Sequence, residues 1–123
     1  MHEPTGPPID SHVVAGIERR DGAIIVRLAG ELDLYNAGAA REPLFALAAE
    51  LPERLVIDLE AVEFLDSTAL GLLIEVRARL ADRRTFLLAA PGLESRRALA
   101  VSGLDKHLPV HDTVEAALAA PLK

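Results

Sequence analysis

Residues 55–73 read LVIDLEAVEFLDSTALGLL. The opening Leu55-Val56-Ile57-Asp58-Leu59 is nearly continuous in apolar character, which predicts a central strand covered on both faces. Residues 60–65 set Val62, Phe64 and Leu65 among Glu60 and Glu63, and predict a short loop with apolar anchors. Asp66-Ser67-Thr68 then opens a helix expected to run to about residue 82. Within it Leu70, Leu73, Ile74 and Leu80 recur at helical spacing and form a core stripe. A buried strand followed directly by a capped helix is the repeating unit of an α/β fold.

Working outward, two further β-rich runs lie upstream. HVVAGIE (12–18) and AIIVRLA (23–29) flank Asp21-Gly22, an Asp-Gly pair that signals a hairpin. Asn36 is expected to cap a helix reaching about residue 51, with a kink or fresh start at Pro43. Downstream, TFLLA (85–89) predicts another strand. HLPV (107–110) predicts a weak edge strand, demoted by its proline. Residues 93–101 predict a helix closed by Gly103, and residues 113–120 a short one capped by Asp112. Strands alternating with helices give a single-domain α/β sandwich, with a mixed sheet of four to five strands and about four helices.

Composition narrows the function. The chain has 123 residues, and 13 Lys and Arg against 19 Asp and Glu leave a formal net charge of −6. That acidity argues against a general binder of nucleic acid or anionic membrane. The absence of cysteine excludes disulfides, thiolate catalysis and Cys-ligated metal. No apolar run approaches the ~20 residues of a membrane span. The start, MHEPTGPPIDS, has no basic-then-apolar pattern, so residues 1–11 are expected to form a flexible arm and residues 12–119 the domain. A cytoplasmic protein is the default expectation, with no cofactor.

Catalytic sets are thin. There is neither a GxGxxG nor a Walker lysine motif. His107 and His111 flank Pro109 without an evident third ligand, and read as polar residues at a strand edge. Ser67 has Asp66 beside it but no histidine or lysine nearby to act as base, which leaves hydrolase chemistry last in rank. Two readings of Asp66 and Ser67 remain. Either one caps the helix by accepting a backbone N–H bond, or the Ser67 hydroxyl stands exposed at the positive end of the helix dipole. In the second case phosphate is tolerated by the fold and sensed by a visitor. Gly71 permits close backbone approach, by a partner or internally onto the sheet. Leu72 and Val76 form a second face, either for docking or buried by neighbouring helices. Arg77, Arg79, Arg83 and Arg84 cluster near the end of the same helix, and read first as a solvated face complementing its dipole.

The run from Val56 to Leu73, with its Asp66-Ser67-Thr68-Ala69-Leu70-Gly71 turn, stands with Gly30-Glu31-Leu32-Asp33 after the second strand. On these two motifs and the element order, the chain resembles the STAS domain, the family of bacterial anti-sigma factor antagonists, over roughly residues 12–119. The resemblance implies a regulatory binding protein rather than an enzyme. It implies that Ser67 receives phosphate from a partner serine kinase that is also the anti-sigma factor. Asp66, Asp33 and Glu31 would lie close by and help form the docking surface, with Thr68 a second hydroxyl next door. Unphosphorylated antagonist would bind the kinase and free the sigma factor, phosphorylated antagonist would let go, and a PP2C-type phosphatase would reset the cycle. ATP and magnesium would belong to the kinase. Some members of the family instead serve, unphosphorylated, in lipid-transport machinery, in stressosome assemblies or on anion transporters. Ala69, where the family often has glycine, and Pro43 inside the first helix are departures from the pattern.

Overall fold

A computed structural model describes residues 13–122. The expected arm at residues 1–11 and the expected strand start at His12 lie outside the described residues. β1 (Val14–Arg20) and β2 (Ala23–Leu32) form the expected hairpin. Asp21 and Gly22 both take positive φ, 52° and 86°. That pair of left-handed residues matches the twist of the flanking strands. α1 (Gly38–Ala49), β3 (Arg54–Leu65), α2 (Ser67–Ala78), β4 (Phe86–Ala89), α3 (Leu93–Ser102), β5 (Val110–His111) and α4 (Val114–Ala119) follow. The sheet order is β1-β2-β3-β4-β5, with β1 antiparallel and the rest parallel.

Alternation along the central strands explains the two layers. Val26, Leu28, Leu55, Ile57, Phe86 and Leu88 share one core with α1, α2 and α3. Their sheet neighbours Ile25, Val56 and Leu87 point the other way, where Ala117 of α4 meets them. Burial on both faces is what the unbroken apolar run of β3 required.

Several local expectations are corrected. Residues 60–65 are not a loop, because β3 continues to Leu65 and pairs with β2 throughout. The register slips between Arg27 and Ala29 and again between Gly30 and Glu31, each time adding one residue on β3. Those bulges break the two-residue period, so Val62 and Leu65 are both buried although three residues apart. Asn36 does not cap α1, which begins at Gly38 behind Ala37 with no side-chain cap. Pro43 lies inside that single helix and removes one i→i−4 bond without ending it. Thr113, not Asp112, caps α4, by accepting from Ala116 N–H at 3.0 Å. Asp112 instead pairs with Arg96 at 2.8 Å. α2 ends at Ala78 rather than near residue 82, and Gly103 closes α3 in the left-handed region as expected.

Candidate functional site

The site forms where β2 and β3 end and α2 begins. Asp66 has extended backbone and caps α2, its Oδ1 accepting from Ala69 N–H at 3.1 Å. Its Oδ2 accepts from Leu34 N–H at 3.0 Å, and its own N–H donates to Leu32 O at 3.0 Å. One carboxylate therefore anchors the helix start and the loop after β2 together.

That loop is closed on itself by short polar side chains. Asp33 Oδ1 accepts from Tyr35 N–H at 2.9 Å and Asn36 N–H at 3.2 Å. Asn36 Oδ1 accepts from Asp33 N–H at 2.9 Å, and its Nδ2 donates to Glu31 O. Such Asx bonding replaces the ladder as the strand ends. Upstream of it Gly30 has φ +83°, beside the second register slip. A side chain there would be strained by about 1–2 kcal/mol, which gives the glycine of Gly30-Glu31-Leu32-Asp33 a backbone reason.

Because Asp66 supplies the cap, Ser67 is left free for other use. It is the first helical residue and is exposed, and no hydrogen bond among the described residues engages its hydroxyl. Thr68 is exposed beside it. Gly71, one turn on and on the same side of the helix, is exposed too, and a Cβ added there would meet nothing within 4 Å. Close internal approach is therefore not its purpose. Glu31 is exposed, paired across the sheet with Phe64, while Asp33 is half-buried with its carboxylate committed to the loop.

Leu72 and Val76 do not belong to this surface. They are 6% and 0% exposed and sit in the larger core. α2 packs against both the sheet and α1, to which Arg41–Glu75 (2.6 Å) and the Arg79 guanidinium over Phe45 (4.2 Å) hold it. It therefore buries a wider arc than one stripe, and the stripe residue Ile74 is only half-buried. Ala69 is buried, so its methyl group faces inward and leaves the surface unaltered.

Three exposed apolar side chains escaped the sequence reading. Leu34 is 67% exposed, Tyr35 88% and Phe64 44%, all beside the Asp66 junction. The chain has only four aromatic residues, one Tyr and three Phe, so two of them stand in water at this one end. A Leu-Tyr pair placed between Asp33 and Asn36 was the available signal, since turn residues there leave an apolar pair nowhere to bury.

Comparison with known proteins bears on this geometry. The family model of the STAS domain matches residues 15–117. The chain belongs to the STAS domain family. The anti-sigma-F factor antagonist RsfB of Mycobacterium tuberculosis (strain ATCC 25618 / H37Rv) is 33% identical over 106 residues, covering 86% of this chain and 87% of that one. RsfA of the same strain, also named an anti-sigma-F factor antagonist, is 29% identical over 116 residues, covering 92% and 91%. A crystal structure of an anti-sigma factor antagonist from Mycobacterium paratuberculosis superposes with a TM-score of 0.78 at 38% identity, covering 83% of this chain and 87% of that one. Among the described residues no helix is long and apolar enough to cross a membrane.

Proposed function

We propose that this STAS domain protein is an anti-sigma factor antagonist. It binds an anti-sigma factor that is also a serine kinase, and phosphorylation at Ser67 releases it. The observation that carries this reading is the division of labour between neighbours: Asp66 holds the helix start, so the exposed Ser67 hydroxyl has no structural duty. The similarity to named antagonists supports the partner class.

The chemistry is supplied by the kinase, with its ATP and magnesium. Ser67 Oγ attacks the γ-phosphorus, ADP leaves, and the hydroxyl proton passes to the kinase base. The product carries about −1.5 to −2 extra charge at the N-terminus of α2, where the dipole and free N–H groups tolerate it. A partner resting on Leu34, Tyr35 and Phe64, with its backbone near Gly71, meets that charge and bulk directly. Glu31, Thr68 and Gly71 belong to the contact surface; Asp33 and Asp66 shape it. A PP2C-type phosphatase restores the hydroxyl, and the whole cycle runs in the cytoplasm without enzymatic activity of this chain.

Incubation with the cognate anti-sigma kinase and ATP, followed by peptide mapping, tests the reading. Phosphate is expected on Ser67, lost in Ser67→Ala and kept in Thr68→Ala. Ser67→Asp is expected to weaken kinase binding at least tenfold, about 1.4 kcal/mol. Phosphate persisting in Ser67→Ala defeats the site, and a kinase complex indifferent to Ser67→Asp defeats the electrostatic release. Failure of every anti-sigma kinase to modify or bind the chain would favour an unphosphorylated role in a larger assembly.

A further inference from the structure

A cavity of about 460 Å³ lies at the opposite end of the domain, beside β4, β5 and the chain after α4. Its volume falls within the range of small-molecule sites. Leu87, Pro109, Ala120, Pro121 and Leu122 give it an apolar floor. Among the described residues, Arg77, Arg83, Arg84, His107 and His111 supply every charged or titratable group in its lining. Among the described residues no carboxylate lines it, in a chain whose net charge is −6.

The guanidinium groups are not all spent. Arg84 is forked onto Asp82, with Nη2 to Oδ2 at 2.8 Å and Nε to Oδ1 at 3.0 Å. Arg77 only donates to His107 O, at 3.3 Å, and among the described residues neither Arg77 nor Arg83 has a carboxylate partner. An apolar hollow rimmed by unpaired guanidinium selects a ligand with one anionic head and an apolar body. No Phe, Tyr or Trp lines the hollow, so the body it fits is aliphatic rather than a stacked base.

We propose that this cavity binds an amphipathic anion, its carboxylate or phosphate head held by Arg77 and Arg83 and its aliphatic tail laid against Leu87, Pro109 and Leu122. The site is separate from Ser67. Arg77 lies ten residues along α2, about 15 Å from Ser67 at 1.5 Å per residue. The inference therefore stands or falls independently of the phosphorylation reading.

Titration of the full chain with decanoate and with decyl phosphate, followed by calorimetry and amide NMR, tests it. Decanol, decyltrimethylammonium and ATP serve as comparison ligands. Saturable one-to-one binding of at least one of the two anions is expected, with shifts at Leu87, His107, His111 and Leu122. Preference between the two heads tells a fatty acid from an alkyl phosphate. Arg77→Gln/Arg83→Gln is expected to weaken binding at least tenfold, and Ser67→Ala to leave it unchanged. If Arg77→Gln disturbs the fold, as a thermal melt would reveal, Arg83→Gln alone decides, because Arg83 is exposed on a short turn. Binding of neither anion overturns the proposal. So does equal binding of decanol or the ammonium, tighter binding of ATP at the same residues, or indifference to the arginine substitutions.

Discussion

The β3–α2 junction and the far end of the sheet hold their carboxylates differently. Where β3 gives way to α2, they bond to backbone: Asp66 to Ala69 and Leu34, Asp33 to Tyr35 and Asn36. At the other end they pair with exposed guanidinium: Glu50 with Arg19, Glu18 and Glu115 with Arg20, and Asp82 with Arg84, whose backbone N–H the Asp82 Oδ1 also accepts at 3.0 Å. Bonds to backbone fix the course of the chain, whereas exposed ion pairs join flexible side chains and contribute little. The Ser67 end is thus held rigid from within while its outward side chains stay free. That suits a surface that must be met in one shape, since preorganisation lowers the cost of binding.

The sharpest way to break this contrast is to ask where the proposed docking surface stops. Leu72→Ala is expected to cost about 3 kcal/mol of stability in urea denaturation, because Leu72 sits inside the core. A cost near zero with loss of partner binding would move Leu72 to the surface and undo the boundary.

Next in size is the separation between Asp66 and Ser67. Asp66→Ala removes the α2 cap and the tie to Leu34 together, and is expected to cost about 2 kcal/mol. Ser67→Ala, one residue on, is expected to stay within about 0.5 kcal/mol of the parent. Asn is as good a cap as Asp, so Asp66→Asn should recover much of the loss. Equal losses at the two positions would return Ser67 to a structural role.

The order of elements was legible because its signals are local. Asp21-Gly22 fixes a hairpin by its positive φ values, Gly103 ends α3 in the same way, and the run at Leu55–Leu59 shows burial on both faces. The position of Asp66-Ser67 at a helix start was legible on the same grounds, although which of the two served as cap was not. The misread parts depend on neighbours distant in the chain. The bulges that carry β3 on to Leu65 exist only in its pairing with β2, so the altered period of Val62 and Leu65 imitated a loop. Leu72 and Val76 were ambiguous because a helix does not reveal how many partners wrap it; α1 supplied the second one. Asn36 looked like a cap and is instead part of the loop that displays Leu34 and Tyr35.

That loop supplies a smaller effect. Tyr35 is nearly free of intramolecular contact, and exposed aromatics are the anchors that partners most often use. Tyr35→Ala is expected to leave the thermal midpoint unchanged and to weaken the anti-sigma complex roughly tenfold, about 1.4 kcal/mol, in a calorimetric titration. Unchanged affinity would move the contact away from the loop and towards Glu31, Thr68 and Gly71.

The smallest effect concerns the ion-paired end. Hydrogen bonding to Arg19 holds the Glu50 carboxyl below its ordinary value, and hydrogen bonding to Arg84 does the same for Asp82. A carboxyl whose value is lowered in the folded state stabilises that state above the unfolded value, which lies near 4 for both groups. The contribution disappears as pH falls through the lower, folded values. Glu50→Gln/Asp82→Asn is therefore expected to sit slightly below the parent in stability from about pH 5 to 8, and to meet it as pH falls through the lowered, folded values. Because both pairs are exposed, about 1 M salt should close most of the gap at neutral pH. Among the described residues Asp66 bonds to backbone only, so the deficit of Asp66→Ala at neutral pH should survive the same salt. A salt-insensitive gap in the Glu50/Asp82 variant, or a salt-sensitive one at Asp66, would erase the distinction between the two ends.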